Sequence, residues 1–238
     1  MTDLFATIQP VDFAALLRPQ PVPAREAATS APPAALALPQ ADTKAGRTII
    51  ARISKRRVAG LKKAADVLAV LPEVGEVLWG VLYGYFDLCH LLIALLSKLA
   101  APCRHLRTAT LSLSLRNVHE LAALLDCGAV KRLDVLTSDF QRKHDTAIFA
   151  ALLAALHQRG QRVAAARSHC KLLLLDMEDG QKWTLSGSPN LRTSRNAECF
   201  ALCREAAKDA PVHDFHAAWF DEVVVAHEVF ASDSAAAS

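Results

Sequence analysis

The chain has 238 residues, 52% of them hydrophobic, enough for one substantial core and too few for more than two domains. Six cysteines without CxxC spacing speak against structural zinc or a disulfide framework, and an N-terminus with no basic stretch leading a long apolar one favours reduced thiols in a cytoplasm. The net charge of +3 is unevenly divided: Lys44 to Lys63 holds eight Lys/Arg and no Asp/Glu, leaving about −5 (+3 minus +8) for the remainder, so this segment is expected to face a polyanion.

In chain order, residues 1–43 carry seven of the eleven prolines in an Ala/Pro/Ser/Gln-rich run and read as a disordered arm. Residues 44–101 read as a helical extension, basic to about Leu68, broken at Pro72, then strongly apolar over Glu76–Ala100. The window Leu78–Ser97 is long enough to span a bilayer, but Asp87 and His90 at its centre favour a buried helix or a self-association surface. From 102 to 230, strands and helices alternate as in one α/β domain. "TATLSLSL" reads as a strand, "NVHELAALLDCGA" as a helix, "RLDVLTSDF" as a strand, "DTAIFAALLAALHQRG" as a helix and "QRVAAARS" as a strand. "HCKLLLLDM" and "KWTLSGS" form a hairpin across Glu178-Asp179-Gly180, "AECFALC" is a further strand, and "PVHDFHAAWFDEVVVAHEVF" is a closing helix started by Pro211. Residues 231–238 form a frayed tail.

Two polar clusters interrupt this apolar pattern. On a strand, residues two apart share a face, so His169 and Lys171 point the same way, while Asp176 falls on the opposite face and serves structure rather than substrate. Ser188 and Asn190 lie two apart at the end of the returning strand, so the hairpin carries them back towards His169 and Lys171. An imidazole, an ammonium, a hydroxyl and an amide on one pocket suit nucleophilic attack at phosphorus with the non-bridging oxygens held, and need no metal or other cofactor.

"HCKLLLLD" fits His-x-Lys-x4-Asp and "GSPN", opening at Gly187, fits Gly-Ser-x-Asn; together they resemble the phospholipase D superfamily, with a longer spacer between the motifs than that family commonly has. The resemblance implies an α/β sandwich with a mixed central sheet flanked by helices, here preceded by the helical extension. It also implies that His169 attacks phosphorus, Lys171 and Asn190 bind phosphoryl oxygens, Ser188 assists, and Glu198 fixes the histidine tautomer. Such chemistry uses two histidines, one as nucleophile and one as general acid. A single His-x-Lys therefore implies a homodimer with one joint site, as in single-motif members. Arg142 and Lys143 in the loop "TSDFQRKHD", Arg192 and Arg195 beside the second motif, and Lys55, Arg56 and Arg57 in the basic segment are candidate contacts to flanking phosphates. Nucleic acid is the first expected substrate. A phospholipid at an anionic membrane surface and a binding protein without turnover are the alternatives.

Overall fold

The computed structural model describes residues 59–83, 87–193 and 196–230. The arm 1–43, Lys55, Arg56, Arg57, Arg195 and the tail 231–238 lie outside them. After a helical segment over residues 59–67, the elements run β1 (Val77–Leu82), α1 (Leu88–Leu96), β2 (Cys103–Ala109), α2 (Leu115–Asp126), β3 (Leu133–Ser138) and α3 (Asp139–His144). They continue with α4 (Thr146–His157), β4 (Arg162–Ala166), β5 (Leu172–Met177), β6 (Lys182–Gly187), β7 (Glu198–Glu205) and α5 (Pro211–His227). The strands form one mixed seven-stranded sheet in the order β1-β7-β6-β5-β2-β3-β4, with β2, β3 and β4 parallel and the other pairings antiparallel. This is the expected α/β architecture with helices against a mixed sheet.

The four leucines that follow Lys171 show why both faces are covered. Leu173 and Leu175 enter the larger core with α1, α2 and α4, whereas Leu172 and Leu174 enter a smaller one with Phe220 and Val224 of α5. All four are fully or almost fully buried, each such burial being worth about 1.5–3 kcal/mol. The turn back to β6 passes through Gly180, whose φ of +87° is a left-handed conformation that glycine adopts without strain. Asp176 then faces Lys182 and Leu172 faces Ser186.

Three elements differ from the sequence reading. The single apolar helix expected over Glu76–Ala100 is a strand followed by a nine-residue helix. Asp87 is the N-cap of that helix, its side chain accepting from His90 N at 3.0 Å, so the polar pair marks a helix start rather than a helix centre. All nine residues of α1 are buried in the same core as the sheet. At about 14 Å it is far short of a bilayer, and no helix among the described residues is long and apolar enough to cross a membrane.

The strand expected over "TATLSLSL" lies earlier, at Cys103–Ala109, because Ser114 caps α2 in a capping box with Asn117. The alternation in Leu111–Ser114 belongs to a loop that buries Leu113. The charged residues that hid β2 are neutralised inside: His105 Nε2 lies 2.8 Å from Asp134 Oδ2, and Arg107 reaches two carboxylates. Finally, "TSDFQRKHD" is not a loop but contains α3, with Ser138 as N-cap accepting from Gln141 N at 3.0 Å.

Candidate active site

Strand register brings the two motif clusters to one end of the sheet. Ala109 faces Leu172, Leu172 faces Ser186, Gly187 faces Phe200 and Leu82 faces Glu198. His169 and Lys171 therefore sit where β5 begins, Ser188 and Asn190 where β6 has ended, and Glu198 where β7 begins. This is also the end at which the parallel strands β2, β3 and β4 finish, a favoured place for ligands in α/β sheets.

The ladder reaches Leu172, and Lys171 stays in register just before it because its carbonyl accepts from Gly187 N at 3.3 Å. The exposed His169 and half-buried Lys171 meet directly, Nζ lying 2.7 Å from Nδ1. Burial holds the Lys171 ammonium below the ordinary lysine range, with the negative charge of Glu198 and then Cys170 opposing that shift. Lysine and histidine are thus coupled at the mouth of the strand, and the Nε2 edge of the ring is left for an incoming group.

The second motif is locked by backbone proximity. A Cβ added to Gly187 would stand 2.2 Å from Cys199 O and 2.8 Å from Phe200 Cα, so only glycine permits β6 and β7 to approach so closely there. Ser188 N donates to Cys199 O at 2.9 Å, Cys199 N donates to Ser188 Oγ at 3.1 Å, and Ser188 Oγ donates to Glu198 Oε2 at 2.5 Å. Within one chain Glu198 thus orients the serine hydroxyl, while Nδ1 of His169 is engaged by Lys171; the direct Glu198–His169 contact implied by the resemblance is not what this geometry displays. Asn190 accepts from Leu88 N at 3.1 Å through its backbone carbonyl, and its Oδ1 is buried without a hydrogen-bond partner.

Asp176 stands five residues along β5 from Lys171, about 17 Å away. It accepts from Arg107 Nη1 at 2.6 Å, and Arg107 also holds Asp221 of α5 through Nε and Nη2, each at 2.9 Å. Its place is thus the sheet–helix interface. Arg142 pairs with Asp139 at 2.9 Å and Lys143 is exposed, both on α3. Arg192 Nη1 lies 3.7 Å from Asp145 Oδ2 at the α3–α4 junction, so these three cations share one rim. Ser138, by contrast, is occupied as the α3 cap and donates to Leu111 O. Among the described residues no group of three or more His, Cys, Asp or Glu is placed to hold a metal ion.

Asp87, Thr110 and Thr193, to which the sequence assigns no role in the site, hold the loop after Gly187. Asp87 and His90 stood out as polar residues in an apolar window, and their three-residue spacing was the available signal of a cap.

The chain is similar in fold to members of the phospholipase D family. A phospholipase D family member, Nuc, from Salmonella typhimurium is 17% identical, with 65% of this chain and 97% of that chain covered and a TM-score of 0.44. NucT from Helicobacter pylori is 13% identical, covering 65% and 100%, with a TM-score of 0.44. Phosphatidylserine synthase from Haemophilus influenzae Rd KW20 is 16% identical, covering 67% and 40%, with a TM-score of 0.47. These likenesses concern fold alone and carry nothing about activity. No protein-family model matches the sequence, and no curated protein matches it.

Proposed function

We propose that the chain is a phospholipase D-type phosphodiesterase that cleaves nucleic-acid phosphodiester bonds through a phosphohistidine at His169. The observation that carries this reading is the convergence of His169 and Lys171 with Ser188, Asn190 and Glu198 at one end of the sheet, Lys171 Nζ lying 2.7 Å from His169 Nδ1. The Nε2 lone pair attacks phosphorus and the bond to the leaving oxygen breaks. Attack through Nε2 places the ring proton on Nδ1, which requires the Lys171 ammonium to move from Nδ1 to the non-bridging oxygens as the phosphate enters. The Asn190 amide holds those oxygens as well, which is electrostatic stabilisation with no metal in the scheme. A general acid protonates the leaving oxygen, and water then opens the phosphohistidine.

In this proposal the general acid is the partner subunit's His169, and the enzyme is a homodimer with a joint site. Support comes from an exposed apolar surface. Val77, Trp79 and Val81 of β1 share a sheet face with Ala201 and Cys199, the face on which α5 packs farther along the sheet, and Trp79 is 76% exposed. Phe215 and Val225 of α5 are exposed too. An exposed apolar stripe such as that of β1 fits an interaction surface. The nucleic-acid reading is supported by the basic Lys44–Lys63 run, of which Lys62 and Lys63 are described and exposed, and by the Arg142, Lys143 and Arg192 rim.

Cleavage of DNA or RNA in excess chelator, abolished by His169→Ala and by Lys171→Ala, is the expected result. Headgroup release from anionic vesicles with no nuclease activity replaces the substrate with a phospholipid, a reading that the exposed Trp79 and Tyr83 favour. Salt-dependent binding with no turnover on either substrate removes the enzyme reading. Mixing wild type with His169→Ala should give heterodimers of far lower activity; full activity per wild-type chain overturns the joint site.

A further inference from the structure

A buried carboxylate outside both motifs reaches the loop that carries Asn190. The Asp87 side chain is wholly buried; it accepts from His90 N, Arg116 and Thr193 and lies against the His90 ring, whose Nδ1 also meets Asp87 N. His90 N at 3.0 Å and His90 Nδ1 at 2.6 Å belong to its own helix. Arg116 Nη2 at 2.8 Å comes from α2, and Thr193 Oγ1 at 2.7 Å comes from the segment after Asn190, 106 residues away in sequence. A helix cap accounts for the His90 bonds alone. It has no need of an arginine from a second helix or a threonine from the loop.

The same loop is held at two more points. Leu88 N, next to Asp87, donates to Asn190 O at 3.1 Å, and Leu191 N donates to Thr110 Oγ1 at 3.2 Å. Asn190 Oδ1 itself makes no bond among the described residues, so its amide is placed by the backbone that carries it. That backbone is fixed from the α1 side. Arg116 and His90 hold the carboxylate before it meets Thr193, so the loop docks on an acceptor already set in place.

We propose that Asp87 is a positioning residue: through Thr193 and the α1 N-terminus it fixes the loop whose Asn190 faces the reacting phosphate. The proposal rests on the phosphodiesterase reading for its kinetic consequence but not for the anchoring itself. Thr193 is exposed, so Thr193→Val removes one donor with little change of shape or stability, whereas Asp87→Asn also disturbs the buried pair with Arg116.

The experiment compares wild type, Thr193→Val and Thr193→Ser by amide hydrogen exchange and by phosphodiester turnover on the full chain. Thr193→Val is expected to raise exchange in the segment from Ser188 to Thr193 while leaving α1 and α2 unchanged. It should lower kcat about 10-fold with KM within twofold, because a displaced amide is felt in the transition state more than in binding. Thr193→Ser should restore both. Unchanged exchange in Thr193→Val overturns the anchor whatever substrate the wild type takes. Raised exchange with undiminished kcat overturns the positioning role. Wild type that cleaves no phosphodiester sinks the functional reading, and the exchange result then still decides the anchor.

Discussion

The molecule holds two dense polar clusters at opposite fates. At the open end of the sheet, His169 is exposed, Lys171, Ser188 and Glu198 are half-buried, and Asn190 keeps an unbonded oxygen. Beneath α5, Asp134 is wholly buried and bonded by His105, Arg132 and Arg162, while Arg107 spans Asp176 and Asp221. The first cluster leaves the exposed His169 and the half-buried Lys171 ammonium open to a ligand; the second has spent nearly all of its capacity on the fold. Charged residues on a strand therefore report function only where their partners are missing, and His105 and Arg107 of β2, both paired, are structural in space.

This contrast predicts a clean separation of effects. The largest is His169→Ala, which should lower turnover on the order of 10⁴-fold while the melting temperature of the folded chain stays within about 1 °C of wild type, as expected for an exposed side chain. Arg107→Met should do the reverse. It strands Asp176 at the interface and should destabilise by roughly 3–5 kcal/mol, about 10 °C by calorimetry for a chain of this size, with kcat per folded molecule unchanged. A loss of turnover at temperatures where Arg107→Met is fully folded would join the two clusters into one.

Acid should sharpen the same division. Burial by itself would push the Asp134 carboxyl up, but hydrogen bonds from His105 and then Arg162 more than offset it and hold the group well below the usual carboxylate range. Its folded pKa lies beneath the unfolded value of about 3.9, so its stabilisation is complete above about pH 4 and drains away as the pH falls towards the folded pKa. Urea midpoints followed from pH 6 to pH 2.5 should fall below about pH 4, and Asp134→Asn should flatten that limb.

The smallest effect belongs to the open end. Burial lowers the Lys171 pKa and Glu198 pulls it back upward, so Glu198→Gln should move the titration of the Lys171 side chain, followed by carbon NMR, to lower pH. An unmoved titration would mean that the two groups do not sense each other.

Much of this was legible beforehand because it depends on local rules. The β5–β6 hairpin, its glycine turn, α2, α4 and α5 follow from periodicity and from turn chemistry. What the sequence hides depends on partners distant along the chain. β1 was hidden in an apolar run because Leu-rich strand and helix look alike when both are buried. β2 was hidden because its charges meet Asp134, Asp176 and Asp221, between 29 and 114 residues away. Asp87 was read for what it does to hydropathy, when its meaning lies in Arg116 and Thr193.

The leucine run of β5 has one more consequence. Four identical side chains cannot tell one pairing register from the next, since a slip of one residue would still present leucine to both cores. The polar ends must make that choice. Such a slip would drive the Asp176 carboxylate into the larger apolar core and rotate Lys171 away from the site, so the Asp176–Arg107 bond acts as a molecular ratchet pin. The aspartate that closes the motif, at the far end of the strand, keeps Lys171 from being dialled to the wrong side of the sheet.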